Sequence, residues 1–297
     1  MISAGDKAMI NKNKQLALIC ALSLMTLLGC TENPFFDPPE VGAAQISGKV
    51  FLSHDFDNSG VYVWVEQLKL SAYTNSDGEF LINIPPPASQ GGGNGLTGDL
   101  FMYFYLANYK LDSARISFLS GAPLISKGDL NEEGNLNRII NLSKLLNVKL
   151  SLSLKSISMS SIDSLNIKIT LTSPEIDPVA SIMAKANTRE YTLPSPAVCL
   201  RKLDSAENIF KMIDIGYHVE LVNFINKNVT VVHNMNIRFS GGELPPGTYK
   251  VIPYVKVRDV NPPLELLKGL GEHVLRYHPD YLNLPFKLST ENIILTE

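Results

Sequence analysis

Asp55-Phe56-Asp57-Asn58-Ser59-Gly60, with Glu66 six residues further on, has the oxygen spacing of a calcium loop. Such a loop places ligands at positions 1, 3 and 5, glycine at 6 and glutamate at 12. Those oxygens converge on one point only when the loop curls between two helices. Here the residues run on into Val61-Tyr62-Val63-Trp64-Val65, which alternates as a strand. An extended chain carries Glu66 away from Asp55 at about 3.3 Å per residue. Asp55, Asp57, Ser59 and Glu66 are therefore expected to be a polar strand connection. Calcium remains a weak cofactor candidate, through Asp55, Asp57 and Asn58 with backbone carbonyls or Asp77. No other cofactor is expected.

The remaining chemistry-bearing residues give no known pattern. Histidines 54, 218, 233, 273 and 278 have no metal spacing, and the five-residue step from His273 to His278 fits neither one helix face nor a zinc-protease motif. There is no Gly-x-Ser-x-Gly elbow, P-loop or Gly-x-Gly-x-x-Gly segment, and no obvious base lies beside Cys199 in the sequence. Cys199 reads as a small buried hydrophobe. No catalytic residue is expected, although residues that only the fold brings together stay open.

The elements that position these groups are strands. Val61, Val63 and Val65 point one way and Tyr62, Trp64 and Glu66 the other, and Phe80, Ile82 and Ile84 repeat the two-residue period. Gln45–Leu52 precedes them, and Asn75-Ser76-Asp77-Gly78 reads as a hairpin turn. Further strands are expected at Leu100–Ala107, Ala114–Leu119 and Leu136–Leu142. If Leu100, Met102, Phe104 and Leu106 face a core, Phe101, Tyr103 and Tyr105 face outward.

Gly48-Lys49-Val50, Gly60-Val61-Tyr62-Val63, Ala72–Phe80 and Ile84-Pro85 together resemble the carboxypeptidase regulatory-like modules, small sandwiches of transthyretin-like topology. The likeness covers about residues 45–145 and implies a spacer or binding unit without catalysis. It also implies that the strands carrying Trp64 and Tyr103 are neighbours, so that Tyr62, Trp64, Phe101, Tyr103 and Tyr105 form one patch. That patch is a candidate ligand platform or interface, either covered by the second half or open to a protein or glycan partner. The segment from Ala88 to Gly98 departs from the family and reads as an inserted flexible loop.

Residues 1–29 resemble a bacterial lipoprotein signal peptide: Lys12 and Lys14 precede an apolar run that ends Leu27-Leu28-Gly29-Cys30. The run is too short to span a bilayer comfortably. The resemblance implies acylation of Cys30, a membrane anchor, and, with Thr31 rather than Asp next, the outer membrane. Met9 opens a tidier signal than Met1. Residues 30–44, rich in proline, read as a flexible tether.

Removal of residues 1–29 leaves 23 basic and 28 acidic residues and no basic patch, which argues against nucleic acid as a partner. Only Cys199 then remains besides Cys30, so no disulfide within the mature fold is expected.

From Val148 the pattern restarts. Val148–Leu154 and Leu165–Leu171 alternate as neighbouring antiparallel strands. Val179–Ala184, His218–Phe224, Val229–His233 and Asn236–Phe239 are shorter candidates. Leu244-Pro245-Pro246-Gly247-Thr248 launches a long strand, Tyr249–Val257, in the manner of immunoglobulin-like sandwiches. Short helices are expected at Ala206–Ile213 and at Leu264–Lys268 or Glu272–Tyr277, with a closing strand in Phe286–Leu295. The whole reads as all-β, with two sandwich domains at 45–145 and 146–297. The function expected is a non-catalytic binding or structural module on a lipid anchor. An accessory subunit of an envelope transport or assembly complex is the alternative; a hydrolase has no supporting motif.

Overall fold

The computed structural model describes residues 44–297 apart from 92, 175–177, 186–194, 197, 205–209, 213–217, 228 and 240–243. Cys30, the signal segment and the tether up to Ala43 lie outside the described residues. The chain is predominantly β, 47 % strand with one α-helix among the described residues, which places it in the all-β class.

The first half supplies β1 (Gln45–Leu52), β2 (Tyr62–Val65), β3 (Leu70–Tyr73), β4 (Glu79–Asn83), β5 (Gly98–Tyr105), β6 (Asp112–Leu119), β7 (Ala122–Gly128) and β8 (Ile140–Leu142). Five of them form a sheet in the order β3-β2-β5-β6-β7, and three form another, β4-β1-β8. Alternation decides what each buries. Ile46, Val50 and Leu52 of β1 and Phe80 and Ile82 of β4 join Val63, Val65, Met102, Phe104 and Ile116 of the larger sheet in one core. β8 runs parallel to β1, Val50 opposite Ile140.

The Asn75–Gly78 turn is present but does not make the expected hairpin. The Asn75 side chain accepts from the Asp77 and Glu79 N–H groups at 3.0 and 2.8 Å. Gly78 has φ +81°, and a Cβ there would meet the Val50 carbonyl oxygen at 1.9 Å. The strands on either side part: β3 pairs with β2 and β4 with β1. Thr74 is held against the start of β2, its hydroxyl accepting from Val61 N–H and donating to Asn58 O. Val50 N–H meanwhile takes the Gly78 carbonyl. The turn is thus a corner between sheets, and the actual hairpin is β2–β3, closed by Lys69 N–H on Val65 O. The segment after Pro87 is tied through Gln90, whose side-chain amide donates to Pro85 O and Gly121 O.

The second half supplies β9 (Asn147–Leu152), β10 (Ser156–Ser158), β11 (Leu165–Thr172), β12 (Val179–Lys185), β13 (Ser195–Pro196), β14 (Val198–Lys202), β15 (Phe210–Met212), β16 (His218–Phe224), β17 (Val231–Ile237), β18 (Gly247–Pro253), β19 (Val255–Val257), α1 (Leu264–Leu270) and β20 (Glu291–Thr296). The sheets run β10-β20-β18-β14-β15, β17-β11-β9 and β13-β12-β16, with β19 also on β12. β9 and β11 are antiparallel neighbours, as their alternation predicts. Two expectations fail here. Of the helix expected at Ala206–Ile213 only Phe210–Met212 lies among the described residues, and it is strand, because it completes the ladder of β14 with Cys199 opposite Met212. The strand expected over Tyr249–Val257 breaks at Tyr254 and changes sheets, from β14 and β20 to β12. The Tyr281 hydroxyl sits at that break, donating to the Pro253 or Val255 carbonyl and accepting Val255 N–H, each at 3.1 Å. Leu266, Leu267 and Leu270 give α1 its buried face. Glu272–Tyr277 forms turns instead of a helix, since Gly271, at φ +148°, ends α1 just before it.

Candidate functional site

β2 is buried along its whole length, on both faces. Val63 and Val65 belong to the core of the first half, while Tyr62 and Trp64 belong to a second core. The register sets Tyr62 opposite Tyr105 and Trp64 opposite Tyr103 on β5. With Phe101, all five aromatic side chains share the face away from the valines. Trp64 and Tyr103 lie with ring centroids 6.0 Å apart, and Tyr103 and Phe101 6.2 Å.

Most of that face is covered. Trp64 is 3 % exposed and Tyr105 2 %, in one cluster with Leu146, Tyr254, Leu266, Leu284 and others from the second half. The Tyr62 hydroxyl lies 3.4 Å from where a Cβ on Gly269 of α1 would stand. Burial raises the Tyr105 phenol well above its ordinary value, since the charged form would be stranded without water. At the far end of the face Phe101 is 42 % exposed.

Backbone pairing continues the junction. Ala107 N–H donates to Pro285 O at 2.7 Å. Asn108 is completely buried, and its side-chain amide donates to Leu146 O (2.9 Å) and Lys287 O (2.7 Å) and accepts Lys287 N–H (3.1 Å). Ser289 N–H then reaches Val148 O. Residues 285–289 therefore run as a splint from β5's end to β9. Neither Asn108 nor this splint stands out in the sequence, because an amide that pairs 179 residues away leaves no local pattern.

The calcium-like loop is put to another use. Lys144 Nζ lies 3.4 Å from Asp55 Oδ2, and Tyr109 donates to the same oxygen at 3.1 Å. Lys287 Nζ lies 3.7 Å from Asp55 Oδ1 and 3.3 Å from Asp57 Oδ2, and donates to the Asp57 carbonyl. Burial alone would raise the Asp55 carboxyl, but Lys287, Lys144, the Tyr109 hydroxyl and Asp57 N–H together outweigh it and hold the group below its usual value. Asp57 is lowered chiefly by Ser59, whose N–H and hydroxyl both donate to its carboxylate. Glu66 sits beyond the other end of β2, in the β2–β3 turn. The structure thus brings together Asp55, Asp57 and Ser59, leaves Glu66 apart, and faces the two carboxylates with lysine ammonium groups where calcium would need further oxygens. Among the described residues no cluster of three or more His, Cys, Asp or Glu is arranged to hold a metal.

His273 and His278 do meet, ring centroids 4.7 Å apart. Both serve the turn after α1: Asp280 N–H donates to His278 Nδ1, and His273 N–H to the Asp280 carboxylate. Cys199 is fully buried in β14, and burial pushes its thiol up to about 12, which keeps this side chain in its neutral thiol form. No helix among the described residues is long and apolar enough to cross a membrane.

No family model and no curated protein sequence matches the chain.

Proposed function

We propose that the protein is a lipid-anchored, non-catalytic binding or structural module of the cell envelope. In this reading a transthyretin-like sandwich (45–145) and an immunoglobulin-like sandwich (146–297) are fused into one rigid body, on a tether from an acylated Cys30 at the outer membrane. The observation that carries it is the burial of Tyr62, Trp64 and Tyr105 by residues after Leu145. An aromatic face spent on an internal seam supplies rigidity instead of a ligand platform, and it leaves strand edges as the means of engaging a partner. Two further features support the reading. Tyr249 at the start of β18 donates to Pro245 O at 2.7 Å, the bond of a tyrosine corner in immunoglobulin-like sandwiches. The chemistry-bearing residues Asp55, Asp57, His278 and Cys199 are all engaged in structural roles.

Metabolic labelling with a fatty-acid analogue tests the anchor. Wild type should be tagged and sediment with membranes; Cys30→Ser should be untagged and soluble. A soluble, untagged wild type refutes the anchor.

A further inference from the structure

Among the described residues β3 is an outer strand of the five-stranded sheet, paired on one side only. Thr74 N–H donates to Val61 O, and Gly60 N–H to Thr74 O, so Thr74 turns its backbone groups toward β2. In an antiparallel ladder that direction alternates. Tyr73 and Ser71 therefore turn their N–H and C=O groups away from the sheet, and no described residue pairs with them. Both are exposed, Tyr73 by 54 %.

The opposite edge of the same sheet is protected. β7 carries Pro123 and Lys127 and meets β6 through a register shift between Ile116 and Phe118, all devices that discourage strand addition. β3 reads Leu-Ser-Ala-Tyr, with no charge and no proline. Two clefts adjoin it. One, of about 740 Å³, is lined by Ser71 and Tyr73 with Leu270, Leu284 and Phe286. The other, of about 700 Å³, is lined by Ala72 and Tyr73 with Lys49, Leu81 and Ile139. Ser71 and Ala72 point to opposite faces of the strand, so the clefts open on both faces of the same edge.

We infer that the free edge of β3 binds an extended peptide segment of a partner protein, which adds as a sixth strand beside Leu70–Tyr73. This deepens the binding-module reading on which it rests. Outward N–H and C=O groups two residues apart match the repeat of another strand, and clefts on both faces accept its alternate side chains. Sugar hydroxyls have no such repeat to satisfy. The partner segment is accordingly linear, with apolar or aromatic residues at alternate positions, the ones on one face packing beside Tyr73 and Leu284.

A phage library of random linear dodecapeptides, panned against the full chain in detergent, tests the site. Synthetic copies of the enriched peptides should bind wild type and lose at least about tenfold in affinity against Ser71→Pro, which removes an outward N–H, and against Tyr73→Lys, which puts a charge on the edge. Thermal midpoints near wild type would show that both variants fold, and bound peptide should slow hydrogen exchange at the Ser71 and Tyr73 amides. No enrichment, equal binding to both variants, or protection elsewhere overturns the proposal. So does capture of immobilised oligosaccharides that Tyr73→Lys abolishes without any peptide binding, or a dimer that Tyr73→Lys dissociates. Failure of the Cys30 labelling would leave peptide binding untouched, and loss of peptide binding would leave the anchor untouched, so the two readings fail separately.

Discussion

Trp64→Ala tests whether the aromatic face is a shared core. The indole is 3 % exposed, packed with residues of the second half, while its neighbours Val63 and Val65 fill the first core. Burying such a ring removes ~200 Å² from water, worth ~5 kcal/mol at ~25 cal/mol per Å². Tryptophan-to-alanine changes in cores cost ~3–5 kcal/mol, the cavity included. A loss of ~4 kcal/mol is expected. For a chain of this length each kcal/mol lowers the midpoint by ~2–4 °C, so the transition should fall by ~8–16 °C. Calorimetry and near-ultraviolet circular dichroism should report one transition moving as a whole, because β2 belongs to both cores. Trp64→Phe, which keeps a ring in the seam, should lose about half as much. Phe101→Ala, at the open end of the face, should cost less than ~1 kcal/mol. A loss below ~1 kcal/mol for Trp64→Ala, or two separable transitions with neither displaced, would refute the shared core.

Two further outcomes concern the Asp55 loop. A carboxyl held below its ordinary value in the fold stabilises the protein above its unfolded pKa, about 4, and loses that contribution as pH falls through the folded value. Wild type should thus lose stability on acidification below about pH 4, and Asp55→Asn should be weaker at pH 7 with a flatter acid limb; parallel pH curves for the two would show that the lysine contacts do not matter. Chelation of divalent ions should leave the thermal midpoint within about 2 °C, because a loop already neutralised by lysines gains little from a cation. A large drop on chelation, absent in the Asp55→Asn, Asp57→Asn double variant, would reinstate the calcium loop.

Strands were mostly legible in the sequence where one face is buried and the other is not, although β17, a single strand over Val231–Ile237, reads there as two, Val229–His233 and Asn236–Phe239. β9 and β11 alternate cleanly, and both their existence and their pairing follow from the two-residue period. β1, β4 and β5 do the same. β7 escaped because Ala122-Pro123-Leu124-Ile125-Ser126-Lys127-Gly128 has neither regular alternation nor a proline-free run. β15 escaped because a three-residue strand shows too little of any period, and its membership of the sheet comes from β14, not from its own residues. The Asn75–Gly78 turn was correctly placed and wrongly connected. Local turn chemistry specifies a reversal, but the Thr74 hydroxyl, donating to Asn58 O and accepting Val61 N–H, decides which sheet the chain leaves.

The loop at Asp55 shows the same limit from the side of function. Its spacing matches a calcium loop at five positions, and a strand beginning at Tyr62 is a reason within the sequence for Glu66 to stand apart. What fills the site instead cannot be seen locally: Lys144 is 89 residues from Asp55, and Lys287 is 230 from Asp57. The loop, Lys144 and Lys287 come together because the splint of residues 285–289 is fixed at Asn108, whose amide pairs with Lys287 in both directions. The Lys287 backbone is therefore bound to the end of β5 while its ammonium reaches the loop before β2. The carboxylates that suggested a metal thus serve the same junction as the buried aromatic face.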